Sequence, residues 1–185
     1  MQTPDKILLI LDLDETLIHS SEAGLAHPYD FYLHGFHVYK RPGLDEFLQA
    51  ASELFEIAIW SSASRDYVEA LTSEILPPSP RPAFIWCYDR CITVYDTTIS
   101  RYNFIKDLER VVDEGFSLSR TLIVDDSPEK VSRNGENAVF CRPFLGDGLD
   151  DELPQLLNYL RGIHNVPDVR AIEKSGWRDA LVNQG

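Results

Sequence analysis

Residues 7–20 read ILLILDLDETLIHS, an apolar run that ends on two acidic side chains. The run at residues 7–11 contains no polar residue and is typical of a strand buried on both faces, as in a parallel sheet. Asp12 and Asp14 follow it two positions apart, so an extended backbone projects both side chains from one face. Open α/β sheets bind their ligands at the carboxyl ends of the strands. The stretch therefore predicts a parallel α/β domain with a ligand site at Asp12 and Asp14.

Apolar runs alternate with helical patterns along the rest of the chain, which indicates a parallel sheet covered by helices. Further buried strands are predicted at residues 55–60, 83–87, 121–124 and 138–140. Apolar residues recur at helical spacing within residues 44–54, 67–75, 105–112 and 149–160. Residues 29–39 predict a hairpin with a tight turn at His34-Gly35, and residues 91–99 predict an irregular strand or hairpin. We expect a three-layer α/β fold with a parallel central sheet, helices on both faces and a small β-hairpin insertion.

The length and the charge limit the organisation of the chain and its partners. A chain of 185 residues suits one domain, which we expect at residues 1–163. Residues 164–185 read as a C-terminal tail with room for one short helix packed on the domain. The net charge of −13, from 30 acidic and 17 basic residues, repels nucleic-acid backbones and anionic membranes. The composition therefore argues against a general nucleic-acid binder and against a membrane partner.

The cysteines and the first residues bear on the compartment. Cys87, Cys91 and Cys141 are odd in number and lack the spacing of a zinc site, which favours free buried thiols in a reducing compartment. The start, MQTPDK, has no basic region before its apolar run, and that run is too short to cross a bilayer. We expect a cytoplasmic protein, with the nucleus as a further option in a eukaryote.

A second acidic pair closes another strand. The stretch TLIVDDSPEK at residues 121–130 places Asp125 and Asp126 directly after an apolar run. By itself, Asp-Asp before Ser-Pro would also suit a helix cap. Parallel strands bring their carboxyl ends together, however, so this pair and the first pair would crowd four carboxylates into one crevice. Neighbouring carboxylates repel each other unless a cation joins them, and oxygen ligands suit Mg²⁺.

Four stretches resemble, in order, the motifs of the haloacid dehalogenase (HAD) superfamily. They are DLDETL (12–17), the serine at the end of IAIWSS (57–62), the lysine of FIKDL (104–108) and VDDSP (124–128). Two longer stretches, YKRPGLDEFLQAASELFEIAIWSSAS (39–64) and YNFIKDLERV (102–111), are similar to the FCP1-like, NLI-interacting-factor-like branch with the small C-terminal-domain phosphatases. The resemblance runs from about residue 6 to residue 163. It implies a Rossmann-like HAD fold and removal of phosphate from Ser or Thr, and the best-known substrate of the branch is the RNA polymerase II tail.

The resemblance implies a role for each residue near the scissile phosphate. Asp12 would be the nucleophile that takes the phosphoryl group as an aspartyl phosphate. Asp14 would protonate the leaving oxygen and then deprotonate the attacking water, which favours hydrolysis because family ATPases lack a carboxylate at this position. Thr16 would help to hold the loop. Ser61 would hydrogen-bond the phosphate, although the adjacent Ser62 stays an alternative.

The resemblance also implies a metal centre. Mg²⁺ would be bound by the Asp12 carboxylate, the Asp14 backbone carbonyl and the Asp126 side chain. Lys106 would neutralise charge on the phosphate and on the nucleophile. Asp125 would orient Lys106 and would not touch the metal.

The spacing of the motifs bears on the substrate. Residues 17–60 hold only a hairpin, a helix and a strand, and residues 107–124 hold one helix, so no large cap domain is expected. An open crevice admits macromolecules, which favours a phosphoprotein over a metabolite, and in this branch an apolar groove near the hairpin engages peptide. We expect a monomer. One alternative is a polynucleotide or small-molecule phosphatase, and another is a non-catalytic docking module. The net charge of −13 argues against the polynucleotide substrate.

Overall fold

The secondary structure follows the alternating pattern of the sequence. The computed structural model describes residues 6–97 and 100–182, so residues 1–5 and 183–185 of the expected domain and tail, and residues 98–99 of the expected hairpin, lie outside the described residues. The strands are β1 (Leu8–Leu11), β2 (Ile18–Ser21), β3 (Phe31–Leu33), β4 (Phe36–Lys40), β5 (Glu56–Trp60), β6 (Ile85–Trp86), β7 (Ile92–Asp96), β8 (Arg101–Ile105), β9 (Thr121–Asp125) and β10 (Ala138–Phe140). The α-helices are α1 (Leu44–Leu54), α2 (Arg65–Ile75), α3 (Glu109–Asp113), α4 (Glu152–Ile163) and α5 (Trp177–Val182). Short 3₁₀ turns lie at Tyr88–Arg90, Leu118–Arg120, Pro128–Val131, Gly135–Asn137 and Val169–Ala171.

The central sheet has five parallel strands in the order β10-β9-β1-β5-β6. All four residues of β1 are buried, as expected for an apolar strand covered on both faces. The register places Leu11 beside Val124 of β9 and Ile59 of β5. The residues that follow these three strands therefore meet at one edge of the sheet.

Apolar side chains of β1 alternate between two cores. Leu9 and Leu11 belong to the larger core, which also contains buried residues of α1, α2, α4 and α5. Leu8 and Ile10 belong to the smaller core on the other face, together with Val111 of α3. The predicted three-layer arrangement, with helices on both faces of a parallel sheet, is confirmed.

A small antiparallel sheet follows the first acidic pair, with strand order β2-β4-β3. The predicted hairpin is formed by β3 and β4, and its turn residues His34 and Gly35 both have positive φ angles, 50° and 94°. A two-residue turn with both φ angles positive matches the twist of the flanking strands. The sequence reading missed β2, whose Ser20 pairs with Val38.

Two of the predicted helical segments were wrong in extent. Ile105 belongs to β8, because the β7–β8 hairpin continues to that residue, and α3 has only five residues. Val112 is 45% exposed and does not lie on a buried face. Leu149 precedes α4 in a turn, where its N–H donates to the Asp147 carboxylate, and it is 91% exposed.

The segment expected as a tail packs against the rest of the chain. Trp177, the first residue of α5, is 1% exposed and belongs to the larger core. Its indole Nε1 donates a 2.9 Å hydrogen bond to the carbonyl of Phe140 at the end of β10. Across residues 6–97 and 100–182, we find no helix with the length and apolar character needed to cross a bilayer.

Candidate active site

Three polar side chains converge at the carboxyl edge of the central sheet. Asp12 follows β1, Asp125 ends β9 and Ser61 follows β5, and none is more than 1% exposed. Backbone hydrogen bonds fix two of these positions. The Asp12 N–H donates to the Val124 carbonyl at 3.0 Å, and the Ser61 N–H donates to the Trp86 carbonyl at 2.9 Å. Because β1 lies between β9 and β5, Asp12 occupies the middle of the group.

Lys106 joins two of the carboxylates. It follows β8, it is fully buried, and its Nζ donates to Asp12 Oδ1 and to Asp125 Oδ2 at 2.6 Å each. Burial by itself lowers the pKa of Lys106, but the charges of Asp12 and Asp125 outweigh that effect and raise it above its usual value. The lysine therefore stays protonated and holds the Asp12 carboxylate in place. Asp125 therefore lies in direct contact with Lys106.

Three carboxylates form a compact cluster. Asp12, Asp125 and Asp126 each offer an oxygen atom, and these atoms lie within 4.8 Å of one another. Burial, followed by the charge of Asp12, raises the pKa of Asp125, and burial also raises the pKa of Asp126. A cluster of oxygen ligands that repel one another fits a hard divalent cation such as Mg²⁺.

Asp14 points elsewhere. Its Oδ1 accepts a 2.7 Å hydrogen bond from the phenol of Tyr67 on α2, and the Tyr67 oxygen lies 2.6 Å from Ser20 Oγ. Burial raises the pKa of Asp14, while the hydrogen bond from Tyr67 opposes this shift. The expected crowding of four carboxylates thus applies to three side chains, because Asp14 is hydrogen-bonded to Tyr67.

The two predicted hydroxyl groups lie close to the nucleophile position. Thr16 is fully buried and its hydroxyl donates to Asp12 Oδ2 at 3.4 Å. The Ser61 hydroxyl oxygen accepts the N–H of Ala63 at 3.0 Å, which leaves its proton available to a ligand. Ser61 is buried where β5 ends, whereas the adjacent Ser62 is half-buried.

Sequence reasoning missed a second lysine. Lys130, in the 3₁₀ turn after β9, places its Nζ 3.9 Å from Asp12 Oδ2 and 4.0 Å from Asp126 Oδ1. The stretch DDSPEK contained the signal, since Lys130 follows Asp126 by four residues and a single turn brings the two side chains together.

Sequence reasoning also missed a buried arginine that holds the loop after β1. Arg41 is 1% exposed, and its guanidinium donates to the Thr16 carbonyl at 3.0 Å and to the Arg142 carbonyl at 2.8 Å. It also forms a paired contact with the Asp150 carboxylate at 2.7 and 2.8 Å. The planar guanidinium thus connects the loop after β1 to the segment before α4 through paired hydrogen bonds.

A groove of about 500 Å³ opens beside Asp14, between the small sheet and the start of α2. Its lining combines carboxylates with aromatic and small side chains, namely Asp14, Glu15, Ser20, His34, Phe36, Ala63, Ser64 and Tyr67. Burial and the neighbouring charge of Asp14 raise the pKa of Glu15 to about 7.

Comparison with known proteins agrees with this geometry. Residues 7–170 match the family described as NLI interacting factor-like phosphatase. The human carboxy-terminal domain RNA polymerase II polypeptide A small phosphatase 1 is 33% identical over 179 residues, which cover 92% of this chain and 64% of that protein. The human CTD small phosphatase-like protein is 31% identical over 172 residues, which cover 89% of this chain and 58% of that protein. The chain thus spans less than two thirds of the length of either relative.

A solved structure of Fcp1, an essential RNA polymerase II CTD phosphatase, has the same fold. Its TM-score is 0.57 at 18% identity, and the match covers 96% of this chain and 48% of that one. The chain therefore belongs to the NLI interacting factor-like phosphatase family, in the FCP1-like branch of the HAD superfamily.

Proposed function

We propose that this chain is a Mg²⁺-dependent phosphomonoester hydrolase that removes phosphate from serine or threonine of a protein through an aspartyl-phosphate intermediate. One observation carries the proposal. Lys106 bridges Asp12 and Asp125 at 2.6 Å, and Asp126 completes a carboxylate cluster within 4.8 Å, at the edge of the sheet where α/β domains bind ligands. The names of the relatives point to the same reaction class.

In the first step, a carboxylate oxygen of Asp12 attacks phosphorus and the bond to the leaving oxygen breaks. Lys106 orients the nucleophile, and its charge offsets the repulsion between two anions. Asp14 donates a proton to the leaving oxygen, so serine or threonine departs as a neutral alcohol. The Ser61 hydroxyl donates a hydrogen bond to one phosphoryl oxygen.

In the second step, water attacks the phosphorus of the aspartyl phosphate. Asp14, now ionised, removes a proton from this water. The phosphorus–Asp12 bond breaks, inorganic phosphate leaves and the carboxylate is regenerated. Thr16 and Arg41 hold the loop that carries both aspartates, through the Thr16 hydroxyl at 3.4 Å and the Thr16 carbonyl at 3.0 Å.

The side chains of Asp12 and Asp126 and the backbone carbonyl of Asp14 would hold Mg²⁺. When bound, the ion would supply positive charge that lowers the repulsion between the nucleophile and the phosphate dianion. The carboxylate oxygens of Asp12, Asp125 and Asp126 lie within 4.8 Å of one another, which supports a cation at this position. Asp125 stays paired with Lys106 at 2.6 Å.

A phosphorylated peptide segment is the proposed substrate. The groove beside Asp14 is open and has the aromatic side chains of Phe36 and Tyr67 on its wall, which suits an extended chain better than a small polar metabolite. One relative is named for the carboxy-terminal domain of RNA polymerase II, and another is named a CTD small phosphatase-like protein. We propose a monomer, and the free buried cysteines fit a cytoplasmic or nuclear compartment.

A substrate panel with purified protein tests the proposal. Phosphoserine and phosphothreonine peptides, sugar phosphates, nucleotides and a 3′-phosphorylated oligonucleotide are compared with Mg²⁺, with EDTA and with Mg²⁺ restored. We expect hydrolysis of the phosphopeptides that EDTA abolishes and Mg²⁺ restores. Undiminished turnover after exhaustive chelation would exclude the metal mechanism, and preference for the oligonucleotide with a steep salt dependence would favour a polynucleotide phosphatase. Absence of hydrolysis throughout would favour a docking module.

A further inference from the structure

Lys130 is held at the mouth of the active site by its backbone. It lies in the turn Pro128–Val131, where its N–H donates to the Ser127 carbonyl at 3.0 Å and its carbonyl accepts the N–H of Lys106 at 2.7 Å. The next residue, Val131, is fully buried in the smaller core. The backbone of Lys130, and with it the Cβ atom of its side chain, is therefore fixed relative to Asp12.

The two lysines contact different oxygens of the nucleophile. Lys106 donates to Asp12 Oδ1 at 2.6 Å and to Asp125 at 2.6 Å, so two of its three donors are already used inside the protein. Lys130 faces Asp12 Oδ2 at 3.9 Å, which is within ion-pair range but too long for a hydrogen bond. Its side chain is 24% exposed, whereas that of Lys106 is fully buried.

This spacing suits a phosphoryl group. A phosphorus atom about to be attacked lies about 3 to 3.5 Å from the nucleophilic oxygen. Its own oxygens project outward from phosphorus, so they can come within hydrogen-bond distance of an ammonium group that lies 3.9 Å from Oδ2.

We propose that Lys130 is a second phosphate-binding cation of this active site. Lys130 binds the phosphoryl group directly, while Lys106 holds the nucleophile. The inference rests on the proposed function, and it adds a residue that contacts the substrate. The competing explanation is that Lys130 only balances the charge of the acidic cluster, through Asp12 at 3.9 Å and Asp126 at 4.0 Å. The two explanations differ in what happens to phosphate affinity when the charge is removed.

The test measures binding of inorganic phosphate, the reaction product, by calorimetry at saturating Mg²⁺, alongside kcat and KM for a phosphoserine peptide. Lys130→Met removes the charge and keeps the length of the chain, while Lys130→Arg keeps the charge. Lys6→Met is the matched control, because Lys6 precedes β1 at the opposite edge of the sheet, where its Nζ donates to the Ser52 carbonyl at 2.8 Å. Thermal melts establish that each variant is folded.

We expect Lys130→Met to weaken phosphate binding about tenfold or more, with a corresponding rise in KM, as for loss of a hydrogen bond to a charged group. Lys130→Arg should recover most of this affinity, and Lys6→Met should match the wild type. Tighter Mg²⁺ binding in Lys130→Met with unchanged phosphate affinity would overturn the inference and leave the proposed function intact. A wild-type chain that binds no phosphate and hydrolyses no ester would overturn both.

Discussion

The phenol of Tyr67 donates a 2.7 Å hydrogen bond to Asp14 Oδ1, across the groove from α2 to the loop after β1. Tyr67 has a single proton, so with Asp14 ionised the contact to Ser20 at 2.6 Å runs from the serine hydroxyl to the phenol oxygen. Burial and the charge of Asp14 raise the pKa of Tyr67, which keeps the phenol protonated. The hydrogen bonds from Ser20 to Tyr67 and from Tyr67 to Asp14 orient the carboxyl group that we propose as the general acid.

Removal of the Tyr67 hydroxyl should impair proton transfer. We expect Tyr67→Phe to lower kcat for a phosphoserine peptide about tenfold, the size of one hydrogen bond to a charged group. The loss should be smaller for p-nitrophenyl phosphate, whose leaving group needs little protonation. Tyr159→Phe is the control, because Tyr159 lies on α4 in the larger core. Equal losses on the two substrates would argue against an orienting role.

The role of Asp14 itself can be separated into two steps. Asp14→Asn should slow aspartyl-phosphate formation from a phosphoserine peptide by about 10²–10⁴-fold, and less from p-nitrophenyl phosphate. Its effect on the second step should be equal for both substrates, because the leaving group has already departed. Single-turnover kinetics measures each step. Equal slowing of the first step for both leaving groups would assign the proton transfer to another residue or to water.

Asp12→Asn should abolish turnover and leave the fold intact, because a carboxamide is not a nucleophile for phosphorus. Lys106 keeps its 2.6 Å contact with Asp125, so the buried ammonium group retains a carboxylate partner. Steady-state assays with circular dichroism and a thermal melt check both parts. Full activity in a preparation free of wild-type protein would place the nucleophile elsewhere.

Residues 164–185 should contribute to the stability of the domain. Trp177→Ala removes a side chain that is 1% exposed and hydrogen-bonded to the Phe140 carbonyl, so we expect a loss of about 3 kcal/mol or more in the free energy of unfolding. Leu149→Ala is the control. Because Leu149 is 91% exposed, this variant should unfold at the same urea concentration as the wild type. Urea unfolding measures both. A wild-type midpoint for Trp177→Ala would show that this side chain does not stabilise the domain.

The cysteines should react poorly in the native state. Burial raises the pKa of Cys141 to about 11, and burial also raises the pKa values of Cys87 and Cys91. A raised pKa favours the protonated thiol, so little of each cysteine is the reactive thiolate at pH 8. We expect slow reaction with a thiol reagent at pH 8 and complete reaction in denaturant. Rapid modification of a native thiol, located by mass spectrometry, would contradict this environment.

Local patterns in the sequence were sufficient to predict much of the fold. The apolar run before Asp12 specified a strand buried on both faces, because a continuous apolar stretch is stable only where both faces are covered. His34-Gly35, between two strand-like segments, indicated a tight hairpin turn. Both residues have the positive φ angles that such a turn requires. The 105–112 helix was wrong because the same apolar spacing also fits a strand that continues to Ile105.

The sequence by itself determined which residues lie at the carboxyl edge, because the apolar runs that predict parallel strands end at Asp12, Ser61 and Asp125. Only the tertiary structure decided how the side chains pair across that edge. Lys106 comes from outside the central sheet, Tyr67 reaches Asp14 from α2, and these contacts depend on packing between segments far apart in the chain. Sequence periodicity specifies the face from which a side chain leaves its own helix or strand. It does not specify the partner that this side chain meets, because that depends on how separate elements pack in three dimensions.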